Sequence, residues 1–503
     1  MSSSVVELKQ NPKQHPIRTI FWPVYGSEHR AFLPLTLIVF LILFNYTILR
    51  SIKDACIITA SGVEALTFIK FWLTVPALFC FFMFYAKAVN YFKKTTLFYG
   101  IVSGFMIFFL LFGWVIYPNR ELLQPTLTAD LLRSWIGFSW ADGIVDIYRY
   151  WTLSLFFVAA EMWNSVVLLF LFWQLANSIT TVKDAKRFYP HFVFLGHIGL
   201  FVAGAVLRFV TSQPAVAGCV DSWQLKLRIL LTIVAANCGM ILITYWALQR
   251  YVFNAKRVSG FANVRQAAAA KPKMSLRKSL YFISRSQYLA LIATLVLCYG
   301  ISMNLVDVLR KHQIKAQYPS AQDYAAFMGI LYMALGVATC IVVLIGGSAL
   351  RRVGWKKAAL VAPFAICGGG LVLCLAIMFT DPVAALSVLL GSTPLFLIVV
   401  VATGENILSK SVKYALFDTT KEMAYIPLDE ESKTKGKAAI DMVGMRLGKS
   451  CGSLIQQAMF IFIGPASVIA PYSFSILAVS MVVWIWAVLR LHKRFEALHG
   501  GSV

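Results

Sequence analysis

A bundle of membrane-spanning α-helices is the fold class this sequence predicts, and three observations predict it. The 503 residues are 59% hydrophobic and only 14% charged, with a mean hydropathy of +0.73, which is too apolar for a soluble chain of this size. Twelve long apolar stretches recur along it, each near the ~20 residues that cross a hydrocarbon core. The stretches are continuously apolar rather than alternating, which excludes barrel strands and leaves helices.

Taken in order, the first span, 31–50, follows from "FLPLTLIVFLILFNYTI" and the third, 97–117, from "LFYGIVSGFMIFFLLFGWVIY". The same criterion gives 67–89, 150–175, 191–211, 226–247, 286–306, 325–348, 358–378, 385–407, 438–464 and 472–490. The Lys/Arg excess fills every second gap. It comprises Lys93 and Lys94, then Lys183, Lys186 and Arg187, then the 250–285 loop with nine Lys/Arg and no acid. Arg351, Arg352, Lys356 and Lys357 follow, and then the Lys-rich 408–437 segment. By the positive-inside rule that side is cytoplasmic, as are both termini. Of the opposite loops, the longest, 118–149, balances Arg120, Arg133 and Arg149 against Glu121, Asp130, Asp142 and Asp146, and only 307–324 is basic. The first thirty residues lack the features of a cleaved signal peptide.

About half of the net charge of +24 is accounted for by this orientation and by attraction to anionic lipid headgroups, and no nucleic-acid partner is expected. The nine Cys sit mostly inside apolar runs, with no CxxC and no metal-ligand cluster; neither a metal nor a cofactor is expected. The 13 Trp and 20 Tyr suit interfacial belts. Two halves, 31–249 and 286–490, flank the basic linker 250–285, with a segment 1–30 before them and a tail 491–503 after them. Six plus six helices around a long linker is a major-facilitator-like arrangement, in which solute binds between the halves near mid-membrane. Such a chain is expected to carry a solute as a monomer, without enzymatic chemistry.

Charges inside the spans are the candidate functional residues, because hydrocarbon tolerates a charge only when it is paired or faces a polar cavity. Arg50, Lys53 and Asp54 lie on successive turns where the first helix ends. The neighbours Lys53 and Asp54 point in different directions and are not expected to be simply each other's salt bridge. Lys70 lies inside the start of the second helix. Glu161 lies near the middle of the fourth with no basic residue within a turn, so it must be neutral, paired across helices or part of a coupling step. Arg208 lies in the fifth helix, Asp307 and Arg310 at the outer end of the seventh at a spacing that permits a local pair, and Glu405 near the inner end of the tenth. His191 and His197, in a Gly-rich span, are expected to be packed or hydrogen-bonded.

The eleventh helix opens "KTKGKAAIDMVGMRLGKSCGSLIQQ", placing Arg446 and Lys449 roughly 14–18 Å beyond the entry at Lys437, about halfway across. With Lys70 and Arg208 opposite, these describe a cavity of positive potential suited to a multivalent anion. The string "GMRLGKS" is not a phosphate loop, since Gly444 and Gly448 are separated by three residues where four are needed and no strand precedes it. ATP hydrolysis is therefore not expected.

Several segments resemble one family: "FNYTILRSIKDACIITASGVEALTFIKFWLTVPA", "FFVAAEMWNSVVLLFLFWQLAN", "AKRFYP", "YGISMNLVDVLRKHQIKAQYPSAQDYAAFMG" and, most specifically, "KYALFDTTKEMAYIPLD" with its continuation through "LGKSCGSLIQQ". They are similar to the non-mitochondrial ATP/ADP translocases of plastids and of obligate intracellular bacteria such as chlamydiae and rickettsiae, from about residue 20 to 495. The resemblance implies a twelve-helix carrier in the bacterial inner membrane that takes up host nucleotides. It would exchange ATP for ADP plus phosphate, or import ribonucleoside triphosphates, GTP, CTP and UTP among them, with protons, or carry NAD. It also implies transport roles for Lys70, Glu161, Asp307 and Lys449, the two lysines neutralising phosphates. Asp307 and Glu405 depart from the pattern of the exchangers, which carry Glu in "NLVEVTWK" and an uncharged Gln at these places. The added carboxylate at 405 suits a proton-coupled importer.

Overall fold

The structure, a computed structural model, describes residues 29–136, 142–180, 182–214, 221–253, 286–428, 440 and 445–499. Most of the expected N-terminal segment and of the basic linker lies outside these residues. Among the described residues, eleven helices are long and apolar enough to cross a membrane. In chain order the helices are α1 His29–Ser61, α2 Glu64–Tyr91, α3 Lys94–Ile116, α4 Trp151–Ile179, α5 Val182–Ser212, α6 Ser222–Tyr251, α7 Gln287–Gln317, α8 Ala321–Val343, α9 Gly354–Met378, α10 Pro394–Ala424, α11 Met445–Phe462 and α12 Ala470–His499. The one outside the apolar eleven is α11, whose mean hydropathy is held down by Arg446, Lys449, Gln456 and Gln457.

Side chains at the water boundary set several helix starts. Asp221, Ser286, Ser320 and Thr393 each accept a hydrogen bond from a backbone N–H in the first turn of α6, α7, α8 and α10, satisfying donors that the helix cannot. The expected span 385–407 is corrected at such a boundary. A short helix, Thr380–Leu389, precedes a turn at Gly391, and α10 begins only at Pro394.

The larger correction concerns α1 and α7. The expected spans stop at 50 and 306, yet α1 continues to Ser61 and α7 to Gln317. An apolar run ends at its first charges, whereas a helix does not when those charges find partners. The basic "loop" 307–324 is therefore mostly the last turns of α7, and this places Asp307, Arg310 and Lys311 on one helical face.

Lys93 and Lys94 and Lys356 and Lys357 mark one end of the bundle, the basic end. At the other end, the long 118–149 connection folds into the helices Thr126–Ile136 and Asp142–Arg149. Its charges balance as ion pairs: Arg133 with Asp146 at 3.0 Å, Arg149 with Asp130, and Arg120 with Asp221 of the α6 cap at 3.0 Å.

Buried apolar residues form two clusters. One runs through α1–α6 and continues into the parts of α7–α12 near the acid-balanced end. The other lies in the basic-end portions of α7, α9, α10 and α12, including Tyr299, Trp355, Phe417 and Trp484, together with Tyr425 and Ile440 beyond the end of α10. Apolar continuity between α1–α6 and α7–α12 thus exists toward the acid-balanced end. Hydrogen bonds join the halves there too. Trp72 Nε1 donates to Gln457 Oε1 at 3.0 Å, Gln457 Nε2 donates to the Thr67 carbonyl at 3.0 Å, and the Ala466 N–H donates to Glu64 Oε1 at 3.0 Å.

Along a second seam α5 packs on α8 so closely that a Cβ at Gly329 would lie 2.8 Å from both the Arg208 nitrogen and the Gly204 oxygen. Lipid offers no hydrophobic drive for helix association, so such close backbone approach supplies the packing. Gly329→Val should therefore destabilise the protein by about 1–3 kcal/mol. Gly239→Ala, in a helix with nothing within 4 Å, should leave stability unchanged or raise it by under about 1 kcal/mol. Thermal unfolding of the detergent-solubilised variants checks both.

Candidate functional site

Helix geometry brings the expected charges to one level. Lys53 lies before the end of α1, Lys70 and Glu161 after the starts of α2 and α4, and Asp307 before the end of α7. At 1.5 Å per residue all four are roughly 9–15 Å from the acid-balanced end. The helix widens around Lys70 and just after Glu161, as π-helical turns over Ile69–Thr74 and Trp163–Phe172. Such turns are frequent at functional sites because they re-aim the side chains around them.

These residues form a network of ion pairs. Lys53 Nζ is 2.9 Å from Asp54 Oδ1 and 2.9 Å from Glu161 Oε1, and it rests over the Phe157 ring, 3.8 Å from the centroid. The expectation that Lys53 and Asp54 point apart is corrected, since they pair, but they are not simply each other's salt bridge: each also holds a partner on another helix. Glu161, without a basic neighbour in sequence, is compensated by α1. Asp307 is contacted by Arg310 and lies 2.9 Å from Lys311, 3.5 Å from Lys70 and 4.0 Å from Arg50. Lys311 also reaches Asp54 Oδ2 at 2.9 Å. Three of these pairs, Lys311–Asp54, Lys70–Asp307 and Arg50–Asp307, cross between the halves.

Five cations, Arg50, Lys53, Lys70, Arg310 and Lys311, thus share three carboxylates, Asp54, Glu161 and Asp307. The network carries a surplus of positive charge in a region where lone charges are costly. Two further lysines lie on α10, the second offset by an acid of its own. Lys410 is buried with its ammonium 5.9 Å from the Tyr332 ring centroid, and Lys413 pairs with Asp418 at 2.9 Å.

Lys449 stands apart, exposed on α11, with Glu161, Lys413, Arg50 and Asp307 as the charges that act on it. Its position depends on a tight α7–α11 contact, where a Cβ on Gly300 would meet the Gly448 carbonyl carbon at 2.7 Å. Asn304 secures the contact, donating to the Lys449 carbonyl at 2.9 Å and to Ser453 Oγ at 2.7 Å.

Not every candidate joins this site. Arg208 is exposed on α5 beside Gly329, and among the described residues no ion pair joins it to the network. The side chain of Arg446 lies outside the described residues. His197 packs edge-on against Tyr414, centroids 4.9 Å apart, as expected of a packed histidine. Glu405 is buried away from any ion pair among the described residues. Its Oε1 is 2.6 Å from Ser409 Oγ and its Oε2 has no hydrogen-bond partner.

Lys311, Lys410 and Asn304 carry no weight in the sequence, although the Asp307/Lys311 spacing of four was the signal that α7 continues. Lys311→Met would leave Asp54, which is fully buried, to share Lys53 with Glu161. It should cost roughly 3 kcal/mol, and Asp54→Asn added to it should recover most of the loss. A double-mutant cycle on thermal stability measures this.

A family model described as "TLC ATP/ADP transporter" matches residues 8–495. The chain is 44% identical over 487 residues to "ADP,ATP carrier protein 1" of Chlamydia trachomatis serovar D, covering 96% of this chain and 92% of the relative. It is 41% identical over 481 residues to the chloroplastic ADP,ATP carrier protein 1 of Arabidopsis thaliana, covering 94% and 76%. Among solved structures, a D-xylose-proton symporter superposes with a TM-score of 0.58 at 10% identity, covering 93% of this chain and 97% of the other. A bacterial homologue of the iron transporter ferroportin in an inward-facing state gives 0.54 at 15% identity, covering 92% and 100%. The latter two share the fold alone. With a family match over residues 8–495 and two-fifths identity over nearly the whole chain, the chain belongs to the TLC family of ATP/ADP transporters.

Proposed function

We propose that this chain is a nucleotide carrier that exchanges ATP for ADP by alternating access between two six-helix halves, residues 31–249 and 286–490. The observation that carries this is the cation surplus between the halves, with five cations to three carboxylates and the exposed Lys449 beside them. A polyphosphate supplies the missing negative charge, and charge-assisted hydrogen bonds to ammonium and guanidinium groups are the strong ones. The names of the relatives, ADP,ATP carrier proteins of bacteria and of chloroplasts, support the same substrate pair.

Lys70, 21% exposed, and Lys449 are the proposed phosphate ligands. Glu161 and Asp307 set the charge and position of the cations around them. Met445–Phe462 serves as the twelfth span, polar because it lines the substrate path. The positive-inside pattern supports a bacterial inner-membrane protein with both termini in the cytoplasm and its basic loops against anionic lipid. Nucleotide then enters from the basic end while the ion pairs close the other. A monomer suffices, since both halves lie in one chain. Phosphate accompanying ADP and other bases, GTP, CTP or UTP, fit the same cations, which read phosphates rather than bases.

Glu405 favours a second mode, proton-driven import. A buried carboxyl with, among the described residues, one oxygen unpartnered and no cation in ion-pair range is suited to take up and release a proton.

Reconstituted vesicles separate the two modes. Exchange requires that labelled ATP enter vesicles loaded with ADP or ATP and not empty ones. Entry into empty vesicles that collapses with the pH gradient would establish proton-driven import instead. Lys70→Gln and Lys449→Gln should each weaken apparent nucleotide affinity by roughly tenfold or more, as expected for one lost charge-assisted hydrogen bond. Unchanged affinity in the double variant would refute the site.

A further inference from the structure

The four cations around Asp307 are not equivalent. Arg310 and Lys311 come from its own helix, are almost fully buried, and sit in contact and at 2.9 Å. Arg50 and Lys70 come from the other half, keep 21% of their side-chain surface exposed, and lie farther away, at 4.0 and 3.5 Å. An incoming anion meets these two first, and their hold on the carboxylate is the weaker one.

The charges also divide unevenly if the halves part. On one side, Lys53 would remain for Asp54 and Glu161, both within 2.9 Å of it, while Arg50 and Lys70 would lose the carboxylate they ion-pair with. On the other, Asp307 would keep Arg310 and Lys311. Parting the empty carrier therefore strands two cations in a low-dielectric interior, at high cost. A bound polyphosphate removes that cost by taking both. Asp307, left with its own helix, then draws Lys311 away from Asp54, and all three pairs between the halves loosen together.

We propose that Asp307 is an internal stand-in for the substrate phosphate. In the empty carrier it occupies Arg50 and Lys70 and latches α7 to α1 and α2; a nucleotide opens the latch by displacing it. Obligatory exchange follows from this competition, because only a loaded carrier can turn over. The inference rests on the nucleotide-exchange function proposed above.

The test is release of labelled ATP from vesicles containing the full-length carrier, into buffer with or without ADP. Wild type should release label only toward ADP; a wild type that ADP does not stimulate would sink the exchange function itself rather than the latch. Asp307→Asn should raise release into nucleotide-free buffer about tenfold, within the usual range of coupling free energies, and should tighten apparent nucleotide affinity, while Asp307→Glu keeps the dependence on ADP. A folded Asp307→Asn carrier that retains the wild-type stimulation ratio, or that is inactive in both buffers, overturns the latch. Should that variant not fold, wild-type vesicles are challenged with external inorganic triphosphate: release of label supports the latch, and no release overturns it.

Discussion

The closed end of this bundle depends on the neutralisation of one carboxylate. Asp307 lies among four cations from three helices, and without it Arg50 and Lys70 would face each other's charge in a region shielded from water. An ion taken from water into such a place costs several kcal/mol, and only close opposite charge repays it. The arrangement is possible because α7 stays helical past the end of its apolar run, so that spacings of three and four residues bring Arg310 and Lys311 back over Asp307.

Around that centre the halves are joined by devices that work in lipid, where apolar side chains gain nothing by leaving the hydrocarbon. Backbone meets backbone at Gly204 and Gly329, and Gln457 of α11 spans the seam with a donor to Thr67 and an acceptor from Trp72. The same helix carries Lys449 and is set against α7 by Asn304. Movement of α7 or α2 is therefore transmitted to both proposed phosphate ligands. At the basic end α7, α9, α10 and α12 keep a core of their own.

The amino-acid sequence made the helices legible because hydrocarbon imposes a long and nearly uniform signal, and it made their orientation legible as a charge pattern. It hid what charges do at the ends of spans. Counting apolar residues cut α1 at 50 and α7 at 306, turned Lys311 into a loop residue, and left Glu161 uncompensated when its partner lay on α1. Pairing across helices is a property of the assembled bundle, and no local spacing encodes it. Lys70 and Glu161 stood out as single charges inside spans and Asp307 as one of a local pair with Arg310; the structure joins Lys53 and Asp54 to them by ion pairs.

A fold shared with a sugar–proton symporter at 10% identity says little about cargo, since one scaffold hosts many solutes and the site decides. A neutral sugar has no means of compensating a surplus of buried cations; it would leave Arg50 and Lys70 bound to Asp307 and the halves together. A nucleotide di- or triphosphate carries several negative charges on a flexible chain, enough to satisfy two cations at once. The surplus that makes the empty site costly to open is thus also what selects its cargo, so binding and permission to move reduce to the same electrostatic requirement.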